Sequence, residues 1–403
     1  MSPARIGVFG LLGSGNLGND GSLEAVLAYL RAEHPDAVVD ALCGGPEVVM
    51  ARYEIPAQRL HWYGGEYRTA SRAGAIAAKA FGKLVDPFRT AAWVRRHDAV
   101  IVPGMGVLEA TLPLRPWGFP YSLFLLCASG RLLRTKVALV GVGAAPIADR
   151  PTRALVRWSA RLAAHRSYRD DLSRDALREM GVDTSRDKVH PDLAFALPGP
   201  PESVAPGPRG PVCVGVMDFH GGNDDRARAE EIHRRYVDGM TRFVRALADE
   251  GRTVRLLTGD TCDTSVVDTI LDAVDSPLVT ASKAASLAEL MKETAAAETV
   301  VATRYHNLIC ALKATTPTLA VSYAAKSEAL MESMGLGAYC HSAREVDADQ
   351  LLELFRSLEK RSDDLRRTLA ERNLVATRQL EEHFAELTAA VFPEKARERQ
   401  EAP

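Results

Sequence analysis

The 403-residue sequence predicts an α/β protein of two domains, and three observations carry that reading. A chain of this length exceeds what one hydrophobic core usually serves. Short apolar runs alternate with amphipathic segments of helical length, the order of a parallel sheet with helices on both faces. The stretch from Pro198 to Pro211 holds six prolines and three glycines in fourteen residues. Such a stretch sustains neither a helix nor a central strand and reads as a linker. The expected organisation is an N-terminal α/β domain over 1–200, a Pro/Gly linker over 201–211 and a second α/β domain over 212–345. C-terminal helices over 346–392 and a charged tail over 393–403 complete it.

In the first domain the apolar runs Ile6–Leu11, Ala37–Leu42, Ala99–Val102 and Val137–Val140 predict strands, with a shorter one at His165–Tyr168. Between them Gly21–Glu33, Tyr121–Arg134 and Arg153–Ala163 space their apolar residues as helices do. The second series of strands is Val212–Val216, Val254–Thr258, Leu278–Thr280, Thr299–Thr303 and Thr318–Val321. Arg228–Glu250, Leu287–Thr294 and His306–Ala314 separate them as helices, and Asp347 to about Val391 is helical in pattern almost throughout. In open α/β sheets ligands bind beyond the carboxyl ends of strands. The residues that follow strands are therefore the informative ones, with the cleft between the domains as the expected place.

Composition narrows the function. Hydrophobic residues make up 46% and charged residues 25%, which is ordinary for a globular chain. A formal net charge of −2 supplies no global field for nucleic acid, so an anion site must be local. The six cysteines stand far apart, with no C-x-x-C pair and no Cys/His cluster at zinc spacing, as for reduced thiols of a cytoplasmic protein. No metal and no bound cofactor are expected. No apolar stretch approaches the ~20 residues that span a bilayer, and the N-terminal run is too short for a signal peptide.

After the first strand comes Gly13-Ser14-Gly15-Asn16-Leu17-Gly18, then Asn19-Asp20-Gly21-Ser22 and a helix. This matches G-x-G-x-x-G, and Asp40 ends the second strand near where a ribose-binding acid is expected. Three readings stand: a loop lining a ligand, a structural turn, or a dinucleotide cradle. The polar stretch, with Asp20 or Ser22 as the N-cap, makes the loop longer than a pyrophosphate turn requires and favours the first.

The segment Thr299–Cys310 is the most informative. A strand ends at Thr303 and a helix begins within a residue or two, which places Arg304 and His306 at its N-terminus. Free N–H groups and the positive end of the dipole favour phosphate or carboxylate there. Arginine adds a forked, permanent charge and histidine a proton carrier near neutral pH. Two cations in one N-terminal turn are unfavourable unless an anion offsets them. Lys326, after the next strand, either reaches the same anion or is a solvated lysine opening a helix.

Taken together, these pieces resemble the polysaccharide pyruvyl transferases over about Ile6 to Gly337. The resemblance rests on Gly15-Asn16-Leu17-Gly18, Val102-Pro103-Gly104-Met105-Gly106, Gly141-Val142-Gly143, Tyr168-Arg169-Asp170-Asp171-Leu172-Ser173 and His190-Pro191-Asp192-Leu193-Ala194-Phe195. The closing Arg304-Tyr305-His306 with Tyr323 and Lys326 looks like the family's Arg-x-His and Tyr-x-x-Lys. It implies two Rossmann-like domains in a glycosyltransferase-B-like arrangement. Phosphoenolpyruvate is implied as donor and a sugar diol of a polysaccharide or its precursor as acceptor, with a pyruvate ketal formed. Arg304 and Lys326 would hold the donor, and His306 would be the general acid. Asn16, Asp20, Gly104, Gly143 and Asp192 would line the acceptor side. The chain departs from the family's usual pattern at Gly104–Glu109, where three glycines and an Asp are common, and at Met217-Asp218-Phe219-His220, where a basic residue is common.

The competing functions are a glycosyltransferase of the same architecture using a nucleotide sugar, a dinucleotide-dependent oxidoreductase at Gly13–Gly18, and a non-catalytic sugar or phosphate binder. Glu66–His97 carries seven Lys/Arg against two acids among apolar residues. It reads either as a solvated basic helix pair or as a peripheral contact with an anionic membrane.

Overall fold

The computed structural model describes residues 3–63, 72–109, 116–200 and 210–392. The chain divides into two compact units. One comprises residues up to 14, 22–193 and those from 379 on; the other comprises 15–21 and 194–378. Most of the expected linker, residues 201–209, and the expected tail, residues 393–403, lie outside the described residues.

The first unit alternates β1 (Arg5–Gly10), α1 (Leu17–Glu33), β2 (Val38–Cys43), α2 (Pro46–Tyr53), β3 (Ala57–Arg59), α3 (Arg72–Val94) and β4 (Ala99–Pro103). It continues with α4 (Phe119–Leu133), β5 (Lys136–Val142), α5 (Arg150–Leu162), β6 (His165–Tyr168), α6 (Asp171–Glu179) and β7 (Lys188–Val189). The strands are parallel in the order β3-β2-β1-β4-β5-β6-β7. Every residue of β4 and all but the first of β1 and β5 are buried, as strands covered on both faces must be. The apolar pattern does not reveal β3 and β7, which are short, half-exposed and without an apolar run.

The second unit holds β8 (Val212–Gly215), α7 (Ala229–Asp249), β9 (Val254–Leu257), α8 (Thr264–Val274), β10 (Val279–Ala281), α9 (Leu287–Ala296) and β11 (Thr299–Ala302). After these come α10 (Tyr305–Lys313), β12 (Thr318–Ser322), α11 (Ala325–Ser333), β13 (Cys340–Ser342), α12 (Ala348–Glu359) and α13 (Ser362–Val391). Its parallel sheet runs β10-β9-β8-β11-β12-β13. In both sheets the strand order reverses beside the first strand, between β1 and β4 and between β8 and β11. A crevice opens at such a point because the connections leave in opposite directions.

The helices expected over 346–392 do not belong to one unit. Residues from 379 on group with the first unit. There α13 buries Leu380, His383 and Leu387, with His383 Nε2 2.6 Å from Ser167 Oγ and Thr388 Oγ1 2.6 Å from Tyr29 OH. The basic stretch forms the single helix α3 over 72–94 rather than a pair; residues 66–71 lie outside the described ones. Phe81, Leu84 and Phe88 on α3 are exposed. Among the described residues no helix is long and apolar enough to cross a membrane.

Candidate active site

In the second unit the switch point joins the residues that follow β8 and β11. Thr303 N–H donates to Gly215 O at 2.9 Å and continues the ladder by one residue. The chain then turns into α10 with Arg304 as its N-cap and His306 in its first turn. The strand end and helix start expected from sequence are therefore where the sequence places them.

The guanidinium of Arg304 is not an open fork. Nε and Nη2 donate to the two oxygens of Asp263 at 2.8 and 2.5 Å, and Nη2 lies 3.2 Å from Cys262 Sγ. Burial acts to lower the pKa of Arg304, but the hydrogen bonds and charge of Asp263 outweigh it and raise the pKa well above the ordinary value. Asp263 itself is fully buried and also accepts from the N–H groups of Asp218, Gly259 and Asp260. Motif reasoning overlooks it. Asp260 and Asp263 follow the end of β9 within six residues, and the same strand-end rule that finds Arg304 after β11 points to them.

Lys326 lies in the first turn of α11, with Nζ 5.8 Å from the ring centre of Tyr305 and 5.5 Å from that of Tyr323. It therefore sits beside the start of α10 rather than in solvent alone. Two aromatic faces toward an ammonium hold it by its charge.

The glycine loop belongs to this site. Residues 15–21 group with the second unit. Asn16 forms an antiparallel bridge with Asp260, and its Nδ2 donates to Asp260 Oδ2 at 2.9 Å. Its Oδ1 accepts from the N–H groups of Gly18 and Asn19, which makes Asn16 the cap of α1. This corrects the expected helix start at Gly21 and the expected cap at Asp20 or Ser22. Because Asn16 caps as well as Asp or Ser, the helix begins four residues earlier and the loop is short. Its length therefore gives no argument against a dinucleotide. Asp40 does: it accepts from Trp93 Nε1 at 2.7 Å and pairs with His97 Nε2 at 3.1 Å. Burial pushes its pKa up, but these partners outweigh that and lower it.

Gly18 is where the loop meets the catalytic candidate. A Cβ there would lie 2.0 Å from His306 Nδ1, closer than any side chain tolerates. Glycine is thus required by close approach to the imidazole. Asp20, buried, follows in the same turn of α1.

Two other expected acceptor residues, Gly143 and Asp192, come together in the first unit around a buried arginine, while Gly104 lies apart from it. Arg169 Nη2 donates to Glu109 Oε1 at 2.7 Å, and Nη1 lies 3.5 Å from Asp192 Oδ2. A Cβ on Gly143 would fall 2.4 Å from Arg169 Nη2 and 2.5 Å from Glu109 Oε1. Gly104 has φ +49, and a Cβ there would meet Ser22. Glu109 is thus the partner of Arg169. Asp170 caps α6 by accepting from Ser173 N–H at 2.7 Å.

Cys262 is exposed, and burial of its thiol among Asp260 and Asp263 outweighs Arg304 and pushes its pKa up to about 11. Below that value the thiolate fraction grows about tenfold per pH unit. Alkylation of Cys262 by iodoacetamide, followed by peptide mass spectrometry, is expected to accelerate about tenfold per unit from pH 7 to 10. A rate already level by pH 9 would contradict this environment.

The family model described as polysaccharide pyruvyl transferase matches residues 16–324. No curated protein matches the chain. Among solved structures the fold is similar to the UDP-GlcNAc 2-epimerase from Neisseria meningitidis bound to UDP-GlcNAc, at 11% identity and TM-score 0.61 over 97% of this chain and 100% of that one. It is also similar to Anabaena Alr3699/HepE in complex with UDP and glucose, at 12% identity and TM-score 0.53 over 93% and 98%. A glycosyltransferase from Rickettsia africae ESF-5 is 10% identical, with TM-score 0.56 over 95% and 98%. These likenesses show the fold, two parallel-sheet α/β domains of the glycosyltransferase-B class.

Proposed function

We propose that this chain, which belongs to the polysaccharide pyruvyl transferase family, moves a pyruvyl group from phosphoenolpyruvate to two hydroxyls of a sugar and releases phosphate. Family membership makes it a transferase. The observation that carries the donor is the convergence of Arg304, His306 and Lys326 on the N-terminus of α10 at the switch point of the second sheet. Helix N–H groups and two fixed cations suit a small molecule bearing both phosphate and carboxylate.

In this reading His306 delivers a proton to the methylene carbon of the donor. Positive charge develops at the adjacent carbon, and one sugar hydroxyl attacks it. The second hydroxyl then forms the other C–O bond as the C–O bond to phosphate breaks. Of the two hydroxyl protons, one restores His306 and the other leaves with phosphate, and the product is a ketal carrying a methyl and a carboxylate. Lys326 offsets donor charge. Arg304, held on its Nε–Nη2 edge by Asp263, adds fixed positive charge with Nη1 outside that pairing.

A ligand that binds only the folded state raises the melting temperature, by about 2.7 kcal/mol of stability at one hundred times its Kd. Phosphoenolpyruvate is expected to stabilise the protein and Lys326→Ala to weaken that effect, with little change in the melting point without ligand. UDP and a nicotinamide dinucleotide serve as the other arms. Stabilisation by UDP or the dinucleotide alone, indifferent to Lys326→Ala, would support the nucleotide-sugar or oxidoreductase reading and sink this one.

A further inference from the structure

We propose that Asp218, His220 and His233 form a binding site for a divalent ion of the zinc class, independently of the reaction the family catalyses. The three are brought together by the fold from two stretches of chain. Asp218 and His220 follow β8 at the switch point; Gly221, at φ +82, and Gly222 then reverse the chain. That reversal lets α7 return with His233 in its second turn.

The side chains converge on one carboxylate oxygen. Asp218 Oδ1 lies 3.0 Å from His220 Nε2 and 3.4 Å from His233 Nδ1, and all three ligand atoms fall within 4.8 Å of one another. The imidazoles are stacked, with ring centres 4.2 Å apart and planes 6° from parallel. Bonds of about 2.0–2.2 Å from one ion to nitrogen and carboxylate oxygen put neighbouring donors roughly 3.0–3.5 Å apart. Both oxygen–nitrogen separations already have that spacing. The side chain of His220 is 41% exposed, so its ring can turn to bring the two nitrogens closer.

Hydrogen bonding accounts for the His220 Nε2–Asp218 Oδ1 contact of 3.0 Å but not for His233. His233 Nδ1 is buried and makes no hydrogen bond of acceptable geometry with the described residues, although it faces the carboxylate. A divalent ion between the three groups would be offered a lone pair by each, including the buried His233 Nδ1. Two nitrogens and one oxygen suit zinc and its neighbours in the first transition row, and three protein ligands leave a coordination position open.

The site also has a structural tie to Arg304. The Asp218 N–H donates to Asp263 Oδ1 at 2.9 Å, and Arg304 grips the same carboxylate. An ion here would place positive charge one hydrogen-bonded residue away from the start of α10.

The test uses the full chain carrying Cys262→Ser, so that the exposed thiol cannot bind metal, after treatment with a chelator and its removal. Cobalt(II) is titrated and its visible d–d absorption followed, and zinc is titrated calorimetrically. One ion per chain is expected. His220→Ala, His233→Ala and Asp218→Asn should each weaken binding at least about 100-fold, beyond the range typical of losing an outer-shell partner. Zinc should raise the melting temperature of the parent and not of His220→Ala, which folds alone because its ring is partly exposed. Absence of binding at 100-fold molar excess would overturn the proposal. So would 1:1 binding that survives all three substitutions, since the ion would then lie elsewhere. Neither result bears on the donor, so failure here leaves the transferase reading standing.

Discussion

Replacing His306 by glutamine is expected to lower the rate of pyruvyl transfer by about 10²–10⁴-fold in kcat, the usual contribution of a positioned acid. The KM for phosphoenolpyruvate should stay nearly constant, because an interaction made only in the transition state leaves ground-state binding intact. Glutamine keeps a polar side chain of similar length in the first turn of α10, so the fold has little reason to respond. Gly18→Ala gives an independent approach to the same group. Its Cβ would lie 2.0–2.4 Å from three atoms of the imidazole, so the ring must move although its chemistry is unchanged. A displacement of about 1 Å can cost 10²-fold. Both variants should therefore lose kcat while retaining stabilisation by phosphoenolpyruvate. Full activity in His306→Gln, followed by formation of the ketal methyl signal in NMR, would remove His306 from the chemistry.

The largest effect on stability is expected at Asp263. Its carboxylate is fully buried and accepts from two nitrogens of Arg304 and from the N–H groups of Asp218, Gly259 and Asp260. Alanine would strand the guanidinium and three backbone donors together. Removing one partner of a buried ion pair typically costs about 3–5 kcal/mol, because the remaining charge stays desolvated. Urea unfolding of Asp263→Ala should show a loss of that size, concentrated in the second unit. A loss below about 1 kcal/mol would mean that Arg304 finds water as readily as it finds Asp263. The same reasoning applies to Arg304→Ala, which strands the carboxylate instead. A loss of activity there mixes binding with folding, and this is why Lys326→Ala is the cleaner probe of donor binding.

Much of the site is legible in the sequence. Arg304 and His306 are located by the end of an apolar strand and the start of an amphipathic helix, a local pattern that parallel sheets reproduce faithfully. The order of strands and helices is legible for the same reason: buried strands demand apolar runs, and β1, β4, β5, β8, β11 and β12 all have them. The start of α1 is not, because Asn16, Asp20 and Ser22 are all competent caps. Only the bonds from Gly18 and Asn19 N–H to Asn16 Oδ1 choose among them.

What local physics can determine is therefore written along the chain: two series of α/β elements, a break of prolines and glycines, and a histidine and an arginine at one helix start. The partners of the charged groups come from the three-dimensional arrangement alone. Arg304 faces Asp263 from a different strand end, 41 residues away in the chain. Arg169 is buried against Glu109 and Asp192, and Asp218 meets His220 and His233. Hydrophobic periodicity says which face of an element is covered, not which polar group lies opposite. A charged residue leaves no periodic trace of its partner. Its identity emerges only when the sheet order brings separate strand ends together, where low dielectric makes an unpaired charge too costly to keep.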